Sequence, residues 1–482
     1  MSEILIKNGI VITMNPDRQI IEGGWVLIRD GLIAAVGTKD QSTDTFSPDE
    51  VLDAHRMAVM PGMIDSHGHA GHSMVKSLGS GDGSAWVDAC LKLYALGSSA
   101  SFWKAEARLA SLERLKGGVT TSISLMGGGT DLLRNDTPEY ALAYAEAVGE
   151  AGTRAYLAMG PNRPPYPHKF IRKEDGSERN VDLAEQLAVV ESIIKDHGAS
   201  HEGRVNFCLT GPVFGPGRNN ADLEFGDIKK IFDPVMEMRQ KYQVLFTQDG
   251  HQEGTLAFAN ELGTLGPWSL MSHCVDLNED DIARVVERKA TIIHNPSAIR
   301  SITGRCPAPE LIDAGARVVL GSDAGAPDRG YDMFKHMAQC MHYHRRHFRD
   351  PKVMPAGKVF EMATIDAADG LGRGAELGSL EVGKIADVIL VDLLKPHIAP
   401  INMPVMRLAH FANAADVDTV IVDGKIMMQG RKPTQVDEMS VLEEVESEAA
   451  RMIKDNGFQG LTEPPADFRG SSRMAWSLAD TV

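Results

Sequence analysis

From about residue 61 to residue 375 the chain alternates short apolar runs with helical patterns, and that alternation leaves few folds open. The first run, around Met60, Met63 and Ile64, is entered through the break Pro61-Gly62. The others lie at residues 119–123, 153–157, 205–209, 244–247, 269–273, 290–294 and 318–323. Helical periodicity separates them, as at residues 106–116, 183–197 and 277–289. Eight strand–helix units predict an α/β chain whose centre is a (β/α)8 TIM barrel with enlarged loops.

Both flanks have a different texture. Asn8-Gly9 and Asp30-Gly31 each sit between apolar runs, a strong hairpin signal. The same look returns after residue 376, with Asp423-Gly424 between residues 420–422 and Lys425-Ile426. Two lone β-segments most simply pair into one small β-sandwich built from both chain ends. The predicted organisation is therefore sandwich at 1–60 and 376–435, barrel at 61–375, and a C-terminal helix and tail at 436–482.

In parallel barrels the chemistry gathers at the C-terminal ends of the strands. Here those ends carry His67 and His69, then His273, His294 and Asp323. Residues i and i+2 of a strand share a face, so His67 and His69 project together across Gly68. Two neutral imidazoles converging there can take a divalent metal ion, zinc first, with iron, cobalt or manganese as alternatives. His-x-His alone is equally a turn with two histidines; the four histidines and the aspartate together on strand ends favour the metal. His72 reads as pocket wall, and His294, Arg300 and Asp328 as substrate contacts near the ends of the last two strands.

These motifs carry a resemblance over nearly the whole chain. Residues 61–69 (PGMIDSHGH), Ser272-His273-Cys274, His294-Asn295-Pro296-Ser297 and Gly321-Ser322-Asp323 resemble the amidohydrolase superfamily, as do residues 380–387 (LEVGKIAD) and Val422-Asp423-Gly424-Lys425. The branch most resembled holds guanine and cytosine deaminases, triazine hydrolases, and phenylurea and molinate hydrolases. The resemblance implies that His67, His69 and Asp323 ligate one metal, with His273 beside the water it activates. Binuclear members carry a bridging lysine at the end of strand 4; Leu209-Thr210-Gly211-Pro212 offers none, so a single metal is expected.

Two departures matter. The branch has a strand-5 histidine followed three residues later by Glu; here Gln248 is read at the histidine place and His251 at the Glu place. Gln248 as a weak amide donor, His251 swinging in past Gly250, and no strand-5 ligand at all are the three arrangements, of which His251 is favoured because such metals prefer imidazole. Secondly, the nucleobase deaminases follow His-Asn-Pro with Ser-Asn-Leu and a glycine-rich loop, whereas residues 297–301 read SAIRS. The expected reaction is thus hydrolysis of an amide-, urea- or carbamate-like C–N bond, with Asp323 moving the proton and His273 assisting the oxyanion. Deamination of an N-heterocycle is the alternative, and a non-catalytic scaffold of this fold the third reading.

The remaining features exclude rather than assign. The 482 residues hold 66 Asp and Glu against 49 Lys and Arg, a formal charge of −17, with no basic patch suited to nucleic acid. Five scattered cysteines without Cys-x-x-Cys suggest neither a disulfide framework nor a thiolate zinc site. No long apolar span suggests a membrane segment, so a cytoplasmic, self-associating enzyme with a small-molecule substrate is expected. His336, His342, His344 and His347 fall in one helical stretch; His342 and His344 point to different sides, and a loop-facing or subunit-facing helix explains them. Gly127-Gly128-Gly129 has no Lys-Ser/Thr after it, so it reads as a pocket loop.

Overall fold

A computed structural model describes residues 3–79, 83–128, 133–216, 223–298, 302–323, 325–464 and 469–470. Its centre is a run of eight parallel strands: β1 (Met63–Asp65), β2 (Val119–Leu125), β3 (Arg154–Met159), β4 (Val205–Leu209), β5 (Phe246–Gln248), β6 (Ser269–Ser272), β7 (Thr291–His294) and β8 (Arg317–Leu320). Each pairs in parallel with the next. The ring closes just beyond β1, where Ser66 N–H donates to the Leu320 carbonyl at 3.1 Å and Asp323 N–H to the His67 carbonyl at 2.9 Å. The predicted (β/α)8 barrel is thus present, nearly closed, with a separate sheet domain.

Side-chain alternation divides the barrel into two apolar layers. Ile64, Ile123, Ala158, Cys208, Leu270, Ile293 and Val319 share the inner cluster, with Leu245 against it. Met63, Phe246, Met271, Ile292 and Leu320 instead join the larger cluster beneath the helices. The helices are started by side chains that satisfy their free N–H groups. Asp182 and Glu185 form a capping box on helix Leu183–His197, Asn278 caps Glu279–Arg288, and Asp332 caps Met333–Phe348 through Phe334 N–H at 3.1 Å. Gly62 allows β1 to lie close to β2, since a Cβ there would meet Thr120 Oγ1 at 2.2 Å.

The chain ends meet in one nine-stranded sheet. Strand Val388–Asp392 pairs antiparallel with Met57–Pro61, which in turn pairs with Glu3–Ile12. The sheet curls so that its far turns touch: Ala386 N–H donates to the Gly31 carbonyl, and Gly424 N–H to the Ala386 carbonyl at 3.0 Å. Ile6, Val26 and Ile33 from one end and Val388, Leu390 and Ile421 from the other fill a common core. Helix Glu438–Asn456 packs back on the barrel helix Ala100–Lys116. Among the described residues no helix is long and apolar enough to cross a membrane.

Candidate active site

Four donor groups converge at the C-terminal mouth of the barrel. His67, His69, Asp249 and Asp323 place one ligand atom each within 4.8 Å of one another. His67 Nε2 lies 3.2 Å from Asp249 Oδ1 and 3.5 Å from Asp323 Oδ1, and His69 Nε2 lies 3.4 Å from Asp249 Oδ2 and from Asp323 Oδ1. His273 borders the group, its Nε2 3.0 Å from Asp249 Oδ1 and 3.5 Å from Asp323 Oδ1. The backbone at both His273 (φ 67) and Asp323 (φ 69) is left-handed, an uncommon conformation for these residues that turns both side chains across the strand ends.

Each side chain is aimed by a neighbour. His69 Nδ1 is 3.0 Å from the Gly127 carbonyl, which takes the ring proton and leaves Nε2 facing the carboxylates as a lone pair. Asp65 accepts from Ser322 N–H and Oγ–H, each at 2.8 Å, and is paired at 3.0 Å with buried Arg114, so the end of β8 is anchored to the end of β1. Gly68 leaves room for this arginine, since a Cβ there would meet Arg114 Nη2 at 2.6 Å. Asp323 Oδ2 is held 2.8 Å from Arg329 Nη2. His72 stacks on His69 with ring centroids 4.7 Å apart, and its Nδ1 lies 2.8 Å from Tyr94 Oη.

The electrostatics draw positive charge to this point. Burial pushes the Asp249 and Asp323 carboxyls up, but neighbours overcome it, His67 first for Asp249 and Arg329 first for Asp323, and hold both well below the usual range. Burial likewise opposes charge on His67, yet the two carboxylates, Asp249 first, raise it to about 9. His273 is raised by the same pair against its own burial. His72, buried and next to His69, is held well below the ordinary histidine value.

This arrangement fits a divalent cation. His67 Nε2 and Asp249 Oδ1 are both buried and 3.2 Å apart, and each also lies within 3.5 Å of a further member of the cluster, Asp323 and His273 respectively. Two imidazoles and two carboxylates converging on one point are satisfied together by a shared cation, and that donor set suits a first-row divalent ion.

The strand-5 reading needs correction. Gln248 does not face the barrel axis: it follows Phe246 in the outward row, and its Nε2 donates to the Gly211 and Pro212 carbonyls at 3.2 and 3.0 Å. Leu245 faces inward and Asp249 continues that row, so Asp249, not singled out from the sequence, takes the strand-end position. Measured from it, the place three residues on holds Gln252, whose Nε2 donates to the Pro216 carbonyl. His251 is buried beyond the turn at Gly250 (φ 89), its Nδ1 3.1 Å from Thr255 Oγ1, and lies outside the four-residue group.

The other sequence candidates are spread out. His294 turns away from the carboxylates into the outer layer, where its Nε2 is 3.1 Å from His344 Nε2, though it lines a cavity together with His273, Asn295, Cys306 and Tyr343. Asp328 is exposed, 3.9 Å from Arg329 Nη1. Arg300 lies outside the described residues. Arg329 and Asp249 are the principal groups that the sequence reading missed; the alternation of Leu245, Thr247 and Asp249 was the signal for the latter.

Fold and site together define an α/β barrel with a polar, cation-fitting centre at its strand ends. The amidohydrolase family model matches residues 239–427. A 5'-deoxyadenosine deaminase of Methanosarcina mazei is 29% identical over 471 residues, covering 94% of this chain and 99% of the relative. A 5-methylthioadenosine/S-adenosylhomocysteine deaminase of Syntrophobacter fumaroxidans is 28% identical over 459 residues, with coverage of 94% and 99%. Among solved structures, a zinc-bound adenosine deaminase from Xanthomonas campestris superposes with a TM-score of 0.79 at 20% identity, covering 94% of this chain and 99% of that one. A zinc complex of atrazine chlorohydrolase from Arthrobacter aurescens gives 0.76 at 21% identity, covering 93% and 100%.

Proposed function

We propose that the protein is a metal-dependent hydrolase that removes ammonia from an amino-substituted N-heterocycle of the adenosine type. Hydrolysis of a non-peptide C–N bond is common to the relatives and to the sequence reading. The choice of a heterocyclic amine over an amide, urea or carbamate rests on the curated deaminases that align with the chain over almost its full length. The observation that carries the metal dependence is the convergence of one donor atom each from His67, His69, Asp249 and Asp323 within 4.8 Å at the barrel mouth.

His67, His69, Asp249 and Asp323 would hold one divalent ion, with His273 alongside. When bound, that ion acidifies water, so that a nucleophile is available at neutral pH. Asp323, steadied by Arg329 at Oδ2, would take up the proton released from the water and pass it to the departing nitrogen. His273, 3.0 Å from Asp249 Oδ1 at the edge of the centre, is placed to donate to the charge that develops on the attacked centre. Stacked His72 and Tyr94 close one wall and keep His69 in place.

One observation favours the amide, urea or carbamate reading. A heterocycle gains an electrophilic carbon when a ring nitrogen is protonated, and at the position three residues after Asp249 the chain has Gln252 rather than a carboxylic acid. The two readings separate in one panel: metal-loaded protein is offered adenosine and 5'-deoxyadenosine, an aminotriazine, an anilide, a phenylurea and a thiocarbamate. Ammonia or amine released from the purine nucleosides or the aminotriazine supports the first reading, whereas amine release from the anilide, phenylurea or thiocarbamate supports the second. Asp323→Asn lowers kcat on the active substrate on the order of 10²-fold or more. Full activity in that variant contradicts the proton path.

A further inference from the structure

A second set of donors lies behind the wall of the barrel. His294 at the end of β7 faces Cys340 and His344, one turn apart on helix Met333–Phe348. All three are buried, and their donor atoms lie within 4.8 Å of one another. None of them belongs to the four-residue centre at the barrel mouth, and none has a part in the chemistry above. We propose that His294, Cys340 and His344 form a second metal site, selective for a borderline-soft divalent ion of the zinc or cobalt kind.

The geometry is that of a chelate on rigid supports. Residues four apart on a helix share one face, so Cys340 and His344 present sulfur and nitrogen together to the strand end opposite. The two Nε2 atoms are 3.1 Å apart. The edge of a tetrahedral zinc site with Zn–N bonds of about 2.0–2.1 Å is roughly 3.3 Å, so the rings need to part by only a few tenths of an ångström. A thiolate and two imidazoles are the donors such ions favour, and they contrast with the two-carboxylate set at the barrel mouth.

Read as hydrogen bonding alone, the trio is poorly satisfied. Two neutral rings share a single Nε2–H···Nε2 bond, and His344 Nδ1 is left buried and unpartnered whichever ring carries that proton. Three protein donors also leave one coordination position for water or a small exogenous ligand. His294 lines the cavity that includes His273 and Cys306, so that position has a route to the catalytic mouth. Occupancy would tie β7 to the helix across 50 residues of chain.

The proposal is tested with cobalt as the probe. The centre at the barrel mouth contains no sulfur donor, so a near-ultraviolet thiolate-to-Co²⁺ charge-transfer band reports on Cys340 alone. Metal-free full-length protein is titrated with Co²⁺ while the absorbance and bound metal are recorded. Two equivalents per chain and a charge-transfer band are expected. Cys340→Ser binds one equivalent and lacks the band; His344→Gln does the same, which guards against a folding defect peculiar to the serine variant. His67→Ala/His69→Ala keeps the band and loses the other equivalent. Parent protein without the band, or a band that survives in Cys340→Ser, overturns this second site and leaves the hydrolase reading untouched. Parent protein that shows the band and two equivalents but no turnover strikes the hydrolase reading alone.

Discussion

At the scale of single residues, Asp249 separates the account from its alternatives. With Asp249 beside Asp323 the proposed centre would have two negative ligands, enough to balance a divalent ion. Asp249→Ala is expected to weaken metal binding by on the order of 10- to 100-fold or more, because it removes a charged donor and leaves His67 facing an apolar gap. Gln248→Ala is expected to leave metal affinity unchanged and only lower stability, since its amide serves the Gly211 and Pro212 carbonyls. Equilibrium dialysis of the two variants checks both; the reverse order contradicts the assignment. The sequence showed His67, His69, His273 and Asp323 because strand-end histidines and a Gly-Ser-Asp turn are local patterns. The signal for Asp249, its place in the Leu245, Thr247, Asp249 row, was faint because Val244-Leu245-Phe246 is apolar throughout. A shift of one residue exchanged the two faces.

At the scale of elements, the site depends on ties between strand ends. Asp65 links β1 to β8 and is itself balanced by Arg114 from helix Ala100–Lys116. Both partners are buried, so Arg114→Met strands a carboxylate and is expected to cost about 3–5 kcal/mol of stability. A denaturant midpoint equal to that of the parent contradicts this role. Helix Met333–Phe348 yields a pH prediction. His344 falls from 6.5 to about 4 in the folded chain, through burial first and the charge of Arg305 second. The unfolded chain binds the extra proton between those values, so the contribution is complete above pH 6.5 and lost as pH falls toward 4. Metal-free parent protein should therefore lose Tm more steeply over that window than His344→Gln; parallel curves contradict it. The alternation of strand and helix was legible because apolar runs and caps recur with regular spacing. The two sides of the histidine helix were legible as well, with His342 exposed and His344 buried. What His344 and Cys340 face was not, since His294 lies about fifty residues away in sequence and only the barrel brings it near.

At the scale of the whole molecule, chain ends far apart in sequence complete one sheet, and the barrel between them presents its strand ends as a common surface. The pairing of the ends was legible from repeated hairpin signals, and their curl into one core follows from the same apolar alternation. The four-residue centre is a product of that closure: its members come from β1, β5 and β8 and meet only when the ring is formed. The central claim is that this centre, with its strand-5 aspartate, hydrolyses a C–N bond. Ammonia release from 5'-deoxyadenosine by metal-loaded protein, measured side by side for the parent and Asp249→Ala, tests it most directly. The account predicts steady ammonia release by the parent and a loss on the order of 10²-fold or more in the variant. Turnover in Asp249→Ala equal to that of the parent would contradict it.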